Sequence, residues 1–196
     1  MNKKLTTKEY VKASLSKTMD LLQDLINLDD YIFNIQEASN LIVDSISNKH
    51  TIYLAGNGGS AAQSQHFAAE LVSRFNFDRN PLPAVALTTD TSVLTAVSND
   101  YGYEKVFERQ LAGLAKNGDV FIGFSTSGTS KNILNCFKKA REMKLLSIGI
   151  SGEAGIKESK PDILISIPSQ NTPLIQEIHC ITSHLICDIV EKTIFN

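Results

Sequence analysis

The sequence predicts an α/β fold: a doubly wound, five-stranded parallel sheet flanked by helices, preceded by two helices and closed by a long C-terminal helix. Three observations lead there. Five short runs are almost wholly apolar, as strands covered on both faces require. Segments with apolar residues at helical spacing separate them. The resulting alternation of strand and helix implies right-handed crossovers, which build a parallel sheet.

The elements follow in order. Residues 5 to 48 place Leu15, Met19, Leu22, Leu25 and Ile26, then Ile32, Ile35, Ala38, Leu41, Ile42 and Ile46, at helical spacing, with a break at Asn27-Leu28-Asp29-Asp30. Two helices are expected there. Strands are expected at 51–55, 84–87, 119–124, 145–150 and 162–167, and helices at 60–75, 92–115, 129–143 and, as a short piece, 153–159. The last helix spans about 172–194, with Thr172 as its cap and Pro173 at its first position, where a missing N–H costs nothing. With no repeat, low-complexity tract or linker, residues 1–196 read as one domain, and 1–48 as a helical segment packed on the sheet.

Composition removes whole classes of function. A chain of 196 residues with 42% apolar and 20% charged content buries a real core, which excludes disordered, collagen-like and rod-like classes. Nineteen basic against 21 acidic residues leave a net charge of -2 and no basic block, so nucleic acid is not an expected partner. The stretch Met1 to Lys8 has no apolar run behind its lysines, and nowhere do ~18 uncharged apolar residues follow one another, so neither a standard secretion signal nor a membrane span is expected. Cys136, Cys180 and Cys187 are odd in number and lack CxxC spacing, which argues against a disulfide framework and against a cysteine zinc site. A cytoplasmic location is expected.

Two strand-to-helix junctions carry ligand-binding character. The first reads Ala55-Gly56-Asn57-Gly58-Gly59-Ser60-Ala61-Ala62, where three glycines bare the backbone and the helix N-terminus favours an anion. Gly56, Gly58 and Ala61 also fit the dinucleotide pattern, but that pattern needs an acidic residue at the end of the second strand; Asp78 lies before it and Asp90 beyond it. A plain tight turn is the alternative. The second junction reads Ser125-Thr126-Ser127-Gly128-Thr129-Ser130-Lys131-Asn132, with five hydroxyls in six residues. Amides, helix dipole and hydroxyls together make a phosphate cradle, whereas a helix cap needs one hydroxyl. It is not a Walker loop.

Two helices bear groups that suit proton transfer or a cation. His66 and Glu70 are four apart and share a face. Gln176 and His184, eight apart, drift by about 80° and remain within reach for long side chains. His179 falls on a different face, as a structural or surface residue, and His184 read alone is a core histidine among Ile178, Ile181, Leu185 and Ile189. Two imidazoles, a carboxylate and an amide suit zinc or a similar divalent ion, although spacing alone does not bring them together.

At this point the chain resembles a known family. Asn57-Gly58-Gly59-Ser60, His66-Phe67-Ala68-x-Glu70, Asn99-Asp100, Ser125-Thr126-Ser127-Gly128-x-Ser130 and Ile175-Gln176-Glu177-Ile178-His179 followed by His184 resemble the motif set of the phosphoheptose isomerases, enzymes of the sugar-isomerase (SIS) domain family. The resemblance implies an SIS-type fold and conversion of D-sedoheptulose 7-phosphate to D-glycero-D-manno-heptose 7-phosphate, the first step toward ADP- or GDP-heptose precursors for lipopolysaccharide or capsule. It implies that Ser125, Thr126, Ser127 and Ser130 hold the phosphate, that Asn57, Gly58, Gly59, Asn99 and Asp100 contact the sugar, and that Ser60, Glu70 and Gln176 also belong to the substrate site. Glu70 and His184 would act as base and acid, and His66, Glu70, Gln176 and His184 would hold one zinc per subunit. A homotetramer with shared sites is also implied, with residues 1–48 in its interface. One position departs from some relatives: the residue three before Gln176, an aspartate in those, is Pro173 here.

The chemistry fits the residues. Ketose–aldose interconversion moves a proton between adjacent carbons through an enediol, which needs a positioned base and a partner for the oxygens. A carboxylate on zinc is a weaker base, so Glu70 either alternates between metal and proton or the metal only stabilises the site. The rival reading is a non-catalytic SIS-domain protein of the type that associates with the replication initiator DnaA. By the resemblance, such proteins lack the glutamate and the distal histidine, whereas this chain keeps Glu70 and His184. An SIS-domain transcriptional regulator would need a DNA-binding domain that 1–48 is too short to supply.

Overall fold

The structure, a computed structural model, describes residues 6–195; residues 1–5, which include the expected helix start at Leu5, lie outside them. Helix α1 (Thr7–Ile26) opens with a capping box in which Glu9 N–H donates to Thr6 Oγ1 at 3.3 Å and Thr6 N–H to Glu9 Oε2 at 2.8 Å. Helix α2 is Asp29–Ser47. There follow β1 (Ile52–Ala55), α3 (Gly59–Val72), β2 (Ala84–Ala86), α4 (Thr91–Tyr101), α5 (Val106–Leu114), β3 (Val120–Ser125), α6 (Lys131–Glu142), β4 (Leu146–Ser151), β5 (Ile163–Ser166) and α7 (Thr172–Phe195).

All five strands are parallel, in the order β2-β1-β3-β4-β5. Strand order reverses between β1 and β3, so the loops leaving those two strands diverge to opposite faces and open a crevice at the carboxyl edge. Alternate side chains feed two cores. Ile52, Leu54, Ile122 and Phe124 face α2, α3 and α7, whereas Tyr53, Phe121 and Ala55 face α5 and α6.

Four expectations need correction. The helical stretch 92–115 is two helices, because Gly102 takes φ +88 and ends α4 before a single 3-10 turn at Tyr103–Lys105. Residues 153–159 form turns, not a helix; Gly155 sits at φ +65 and Ile156 inserts into the core beside α6. The cap of α7 is Asn171, whose Oδ1 accepts from Leu174 N–H at 3.2 Å, one residue earlier than Thr172. Packing of the N-terminal segment on the sheet belongs to α2, where Ala38 and Ile42 are fully buried. Helix α1 buries only Leu21 and Leu25 and leaves Tyr10, Leu15 and Met19 exposed. No helix among the described residues is long and apolar enough to cross a membrane.

Candidate active site

The crevice at the switch point is closed by side-chain amides. Asn57, leaving β1, and Asn132, in the first turn of α6, exchange hydrogen bonds at 2.9 and 2.8 Å. Tyr103 donates its hydroxyl to Asn57 Oδ1 at 2.9 Å, so the 3-10 turn is tied to the same point. Asn99 and Asp100 lie just before that turn, exposed at the end of α4, where Asn99 donates to Asp100 Oδ1 at 2.8 Å. Asp90 caps α4 through Val93 N–H at 3.0 Å, a structural use that leaves no acidic ribose partner at the end of β2.

The hydroxyl-rich loop keeps its hydroxyls off the helix end. Ser130 is the residue before α6 yet makes no side-chain cap; Ser125 Oγ donates to Ser130 Oγ at 3.0 Å, and Ser127 and Thr129 pair at 3.0 Å. Gly128 sits at φ +70, and a Cβ there would stand 1.8 Å from the Gly155 carbonyl oxygen, so only glycine allows this loop to pack on the turn after β4. The Thr126 carbonyl in turn accepts from Gly152 N–H at 3.1 Å. The result is a concave set of amides and hydroxyls at a positive helix end, suited to a phosphate.

Helices α3 and α7 run side by side from this edge. At its top, Gly59 lets the Gln176 amide lie against the backbone: a Cβ on Gly59 would meet Gln176 Nε2 at 2.7 Å. Ser60 is buried in the same first turn. Two turns further along, His66 and His184 meet, Nε2 to Nε2 at 2.8 Å. Glu70 Oε1 lies 3.4 Å from that same His66 nitrogen. Cys180, one turn before His184, places Sγ 3.9 Å from His184 Nε2, and Phe75 covers the His184 ring at 5.5 Å.

The end of α3 that carries Glu70 is fixed by a buried ion pair. Arg79 donates Nε to Glu191 Oε1 at 2.8 Å and its guanidinium to the carbonyls of Glu70 and Leu71, both at 2.8 Å. Glu191 also accepts from Phe75 and Asn76 N–H at 2.8 and 2.6 Å. Burial by itself raises the Glu191 carboxyl, but those amides and Arg79 outweigh it and hold the group below the usual carboxylate range. His179 is fully buried against Phe124, with neither ring nitrogen in hydrogen-bond geometry. Burial pushes it down to about 4, with the Ser151 backbone opposing the shift.

The donor chemistry at His66 and His184 fits a divalent ion. Two imidazole nitrogens point at one locus with a carboxylate and a thiol at its border, the set that suits zinc better than magnesium or calcium. Of the proposed ligands, the structure brings His66, Glu70 and His184 together, and the Gln176 side chain lies close beside Gly59. Cys180, set aside in the sequence for want of a CxxC motif, stands with the histidines.

Residues 16–152 match the SIS domain family. The chain is 48% identical over 189 residues to the phosphoheptose isomerase of Sulfurimonas denitrificans, covering 96% of this chain and 97% of that protein. It is 43% identical over 189 residues to the phosphoheptose isomerase of Clostridium acetobutylicum, covering 96% of each. The chain belongs to the phosphoheptose isomerase family of SIS-domain proteins. Solved structures agree: a phosphoheptose isomerase from Francisella tularensis superposes with a TM-score of 0.90 at 30% identity over 96% of this chain and all of that one. That from Neisseria gonorrhoeae gives 0.86 at 36% identity over 95% and 100%. In this SIS-domain chain the sequence reading missed Asn132, Tyr103 and Cys180. Asn132 adjoins the hydroxyl loop and was within reach of that signal, whereas nothing local marks Tyr103.

Proposed function

We propose that this chain is a phosphoheptose isomerase that converts D-sedoheptulose 7-phosphate to D-glycero-D-manno-heptose 7-phosphate, at the start of nucleotide-activated heptose synthesis for lipopolysaccharide or capsule. The observation that carries the reading is the meeting of α3 and α7, where His66 Nε2 contacts both Glu70 and His184. That point lies roughly 11 Å along α3 from Gly59, at about 1.5 Å per residue. This is the length scale of an extended seven-carbon chain with its phosphate.

The phosphate sits among Ser125, Thr126, Ser127 and Ser130 and the amides that begin α6, and its grip orients carbons remote from it. Asn57, Gly58, Gly59, Ser60, Asn99, Asp100 and Gln176 line the sugar. Glu70 removes the C1 proton of the ketose as the C2 carbonyl gains one, giving an enediol. His184 carries protons at the oxygens, taking one from O1 as C2 is reprotonated. His66, Glu70, Gln176 and His184 would hold one zinc per subunit, which when bound would supply electrostatic stabilisation for a developing oxyanion.

The assembly we infer is a homotetramer in the cytoplasm. Leu15, Met19 and Leu185 are exposed, and a groove of about 550 Å³ lined by Leu22, Ile26, Ile32 and Leu185 runs between α1, α2 and α7. Apolar faces of this kind are covered by other copies in a stable protein. Incubating purified protein with sedoheptulose 7-phosphate and following the product by NMR tests the reading. An aldoheptose 7-phosphate is expected; unchanged ketose in the presence of folded, zinc-supplied protein overturns it.

A further inference from the structure

We propose that the Cys180 thiolate is a ligand of the metal held by His66 and His184, a soft donor outside the His–Glu–Gln–His set. The inference rests on the metal-site reading given above and adds a residue to it. Gln176, Cys180 and His184 recur every four residues and so share one face of α7. Gln176 opens this face beside Gly59, and from the intervening turn the Cys180 sulfur reaches the histidines.

The distances support ligation. His66 Nε2, His184 Nε2 and Cys180 Sγ all lie within 4.8 Å of one another, with 2.8 Å between the nitrogens and 3.9 Å from sulfur to His184. Zinc bonds of ~2.1 Å to nitrogen and ~2.3 Å to sulfur in a tetrahedral arrangement set donors roughly 3.3–3.6 Å apart. Side-chain shifts of about 1.2 Å or less therefore convert the present cluster into a coordination shell. On binding, the thiol proton passes to solvent and the sulfur lone pair to the metal. A thiolate beside two imidazoles favours zinc, cobalt or cadmium over manganese or magnesium. The other two cysteines, Cys136 and Cys187, are buried in the two cores, and burial raises both thiols, whereas Cys180 is partly exposed.

Cobalt(II) supplies the test. Full-length protein stripped by a chelator is titrated with cobalt(II), in the wild type and in Cys180→Ser. The wild type is expected to show visible ligand-field bands together with a near-ultraviolet thiolate-to-cobalt charge-transfer band. Cys180→Ser keeps the visible bands, loses the near-ultraviolet band, and binds zinc at least about tenfold more weakly in competition with a chromophoric chelator, no less than the loss caused by a second-shell change. Visible bands without the charge-transfer band in the wild type, or a charge-transfer band that survives in Cys180→Ser, overturn the role of Cys180 and leave the histidine site standing. No cobalt bands at all overturn both. Alkylation by iodoacetamide gives an independent readout: Cys180 is expected to be the residue modified in native protein and to be protected by zinc, and an unchanged rate with zinc bound overturns the proposal.

Discussion

Asn57 and Asn132 face each other across the switch point between β1 and β3 and exchange two amide hydrogen bonds, at 2.9 and 2.8 Å. One residue leaves β1 toward α3 and the other opens α6, so the pair joins the loops that diverge to opposite faces of the sheet. Asn132→Ala leaves the Asn57 amide group without its acceptor, a loss of about 1–3 kcal/mol. The expected outcome is a fall in kcat/KM with sedoheptulose 7-phosphate of about tenfold or more, with a smaller fall for Tyr103→Phe, which leaves the amide pair in place. Steady-state kinetics of the two variants check the order.

Glu70 and His184 are the proposed proton carriers. Glu70→Gln and His184→Gln each lower kcat by at least ~10²-fold while KM for the phosphorylated sugar changes little, since the proposed phosphate grip uses neither residue. Running the reaction in deuterium oxide adds a second readout: Glu70→Gln loses exchange of the substrate C–H as well as turnover. Full turnover by either variant removes that residue from the mechanism.

The Arg79–Glu191 pair holds Glu70 in place through the backbone. Arg79→Leu strands a buried carboxylate and is expected to cost about 3–5 kcal/mol. In a domain of this size that lowers the thermal midpoint by roughly 10 °C in calorimetry. The Arg79→Leu/Glu191→Leu double variant recovers much of the loss, because no charge is left buried alone. Since Glu191 sits below its ordinary range in the folded state, its contribution is present above the unfolded carboxylate value and disappears as pH falls through the folded one.

His179 acts in a higher pH window. Buried neutral, it is held at about 4, against 6.5 for an ordinary imidazole, so the unfolded chain takes up this proton first as pH drops. Its contribution is complete above about pH 6.5 and declines toward pH 4, by roughly 3 kcal/mol over that interval. His179→Gln removes one proton's worth of slope from a plot of unfolding free energy against pH between those limits, as denaturant melts at several pH values would show. Identical slopes in the two proteins refute the assignment.

The strands were legible because burial on both faces leaves no polar option, so 51–55, 119–124 and 145–150 read as apolar runs and reappear as β1, β3 and β4, which differ from them by one residue at most ends. Helix ends were less legible. Gly102 stops α4 by adopting a left-handed φ, a choice fixed by the 3-10 turn that brings Tyr103 to Asn57, and no periodicity reports it. The stretch 153–159 carries helical spacing yet folds as turns, because the contact between Gly128 and the Gly155 carbonyl pins it. The hydroxyl loop and the His66–Glu70 spacing were visible as local chemistry. The Arg79–Glu191 pair was not, since its partners are separated by most of the domain.

The sequence by itself determined the parallel α/β architecture, the glycine-rich and hydroxyl-rich loops and the helical spacing of His66 with Glu70 and of Gln176 with His184, because these depend on local composition and period. Only the tertiary structure decided that α3 and α7 lie side by side from Gly59 and Gln176 down to His66 and His184. It decided too that Cys180 stands with the histidines. Such meetings depend on how helices from distant parts of the chain pack on one face of the sheet, and a one-dimensional pattern does not encode the separation between two helices it places 100 residues apart.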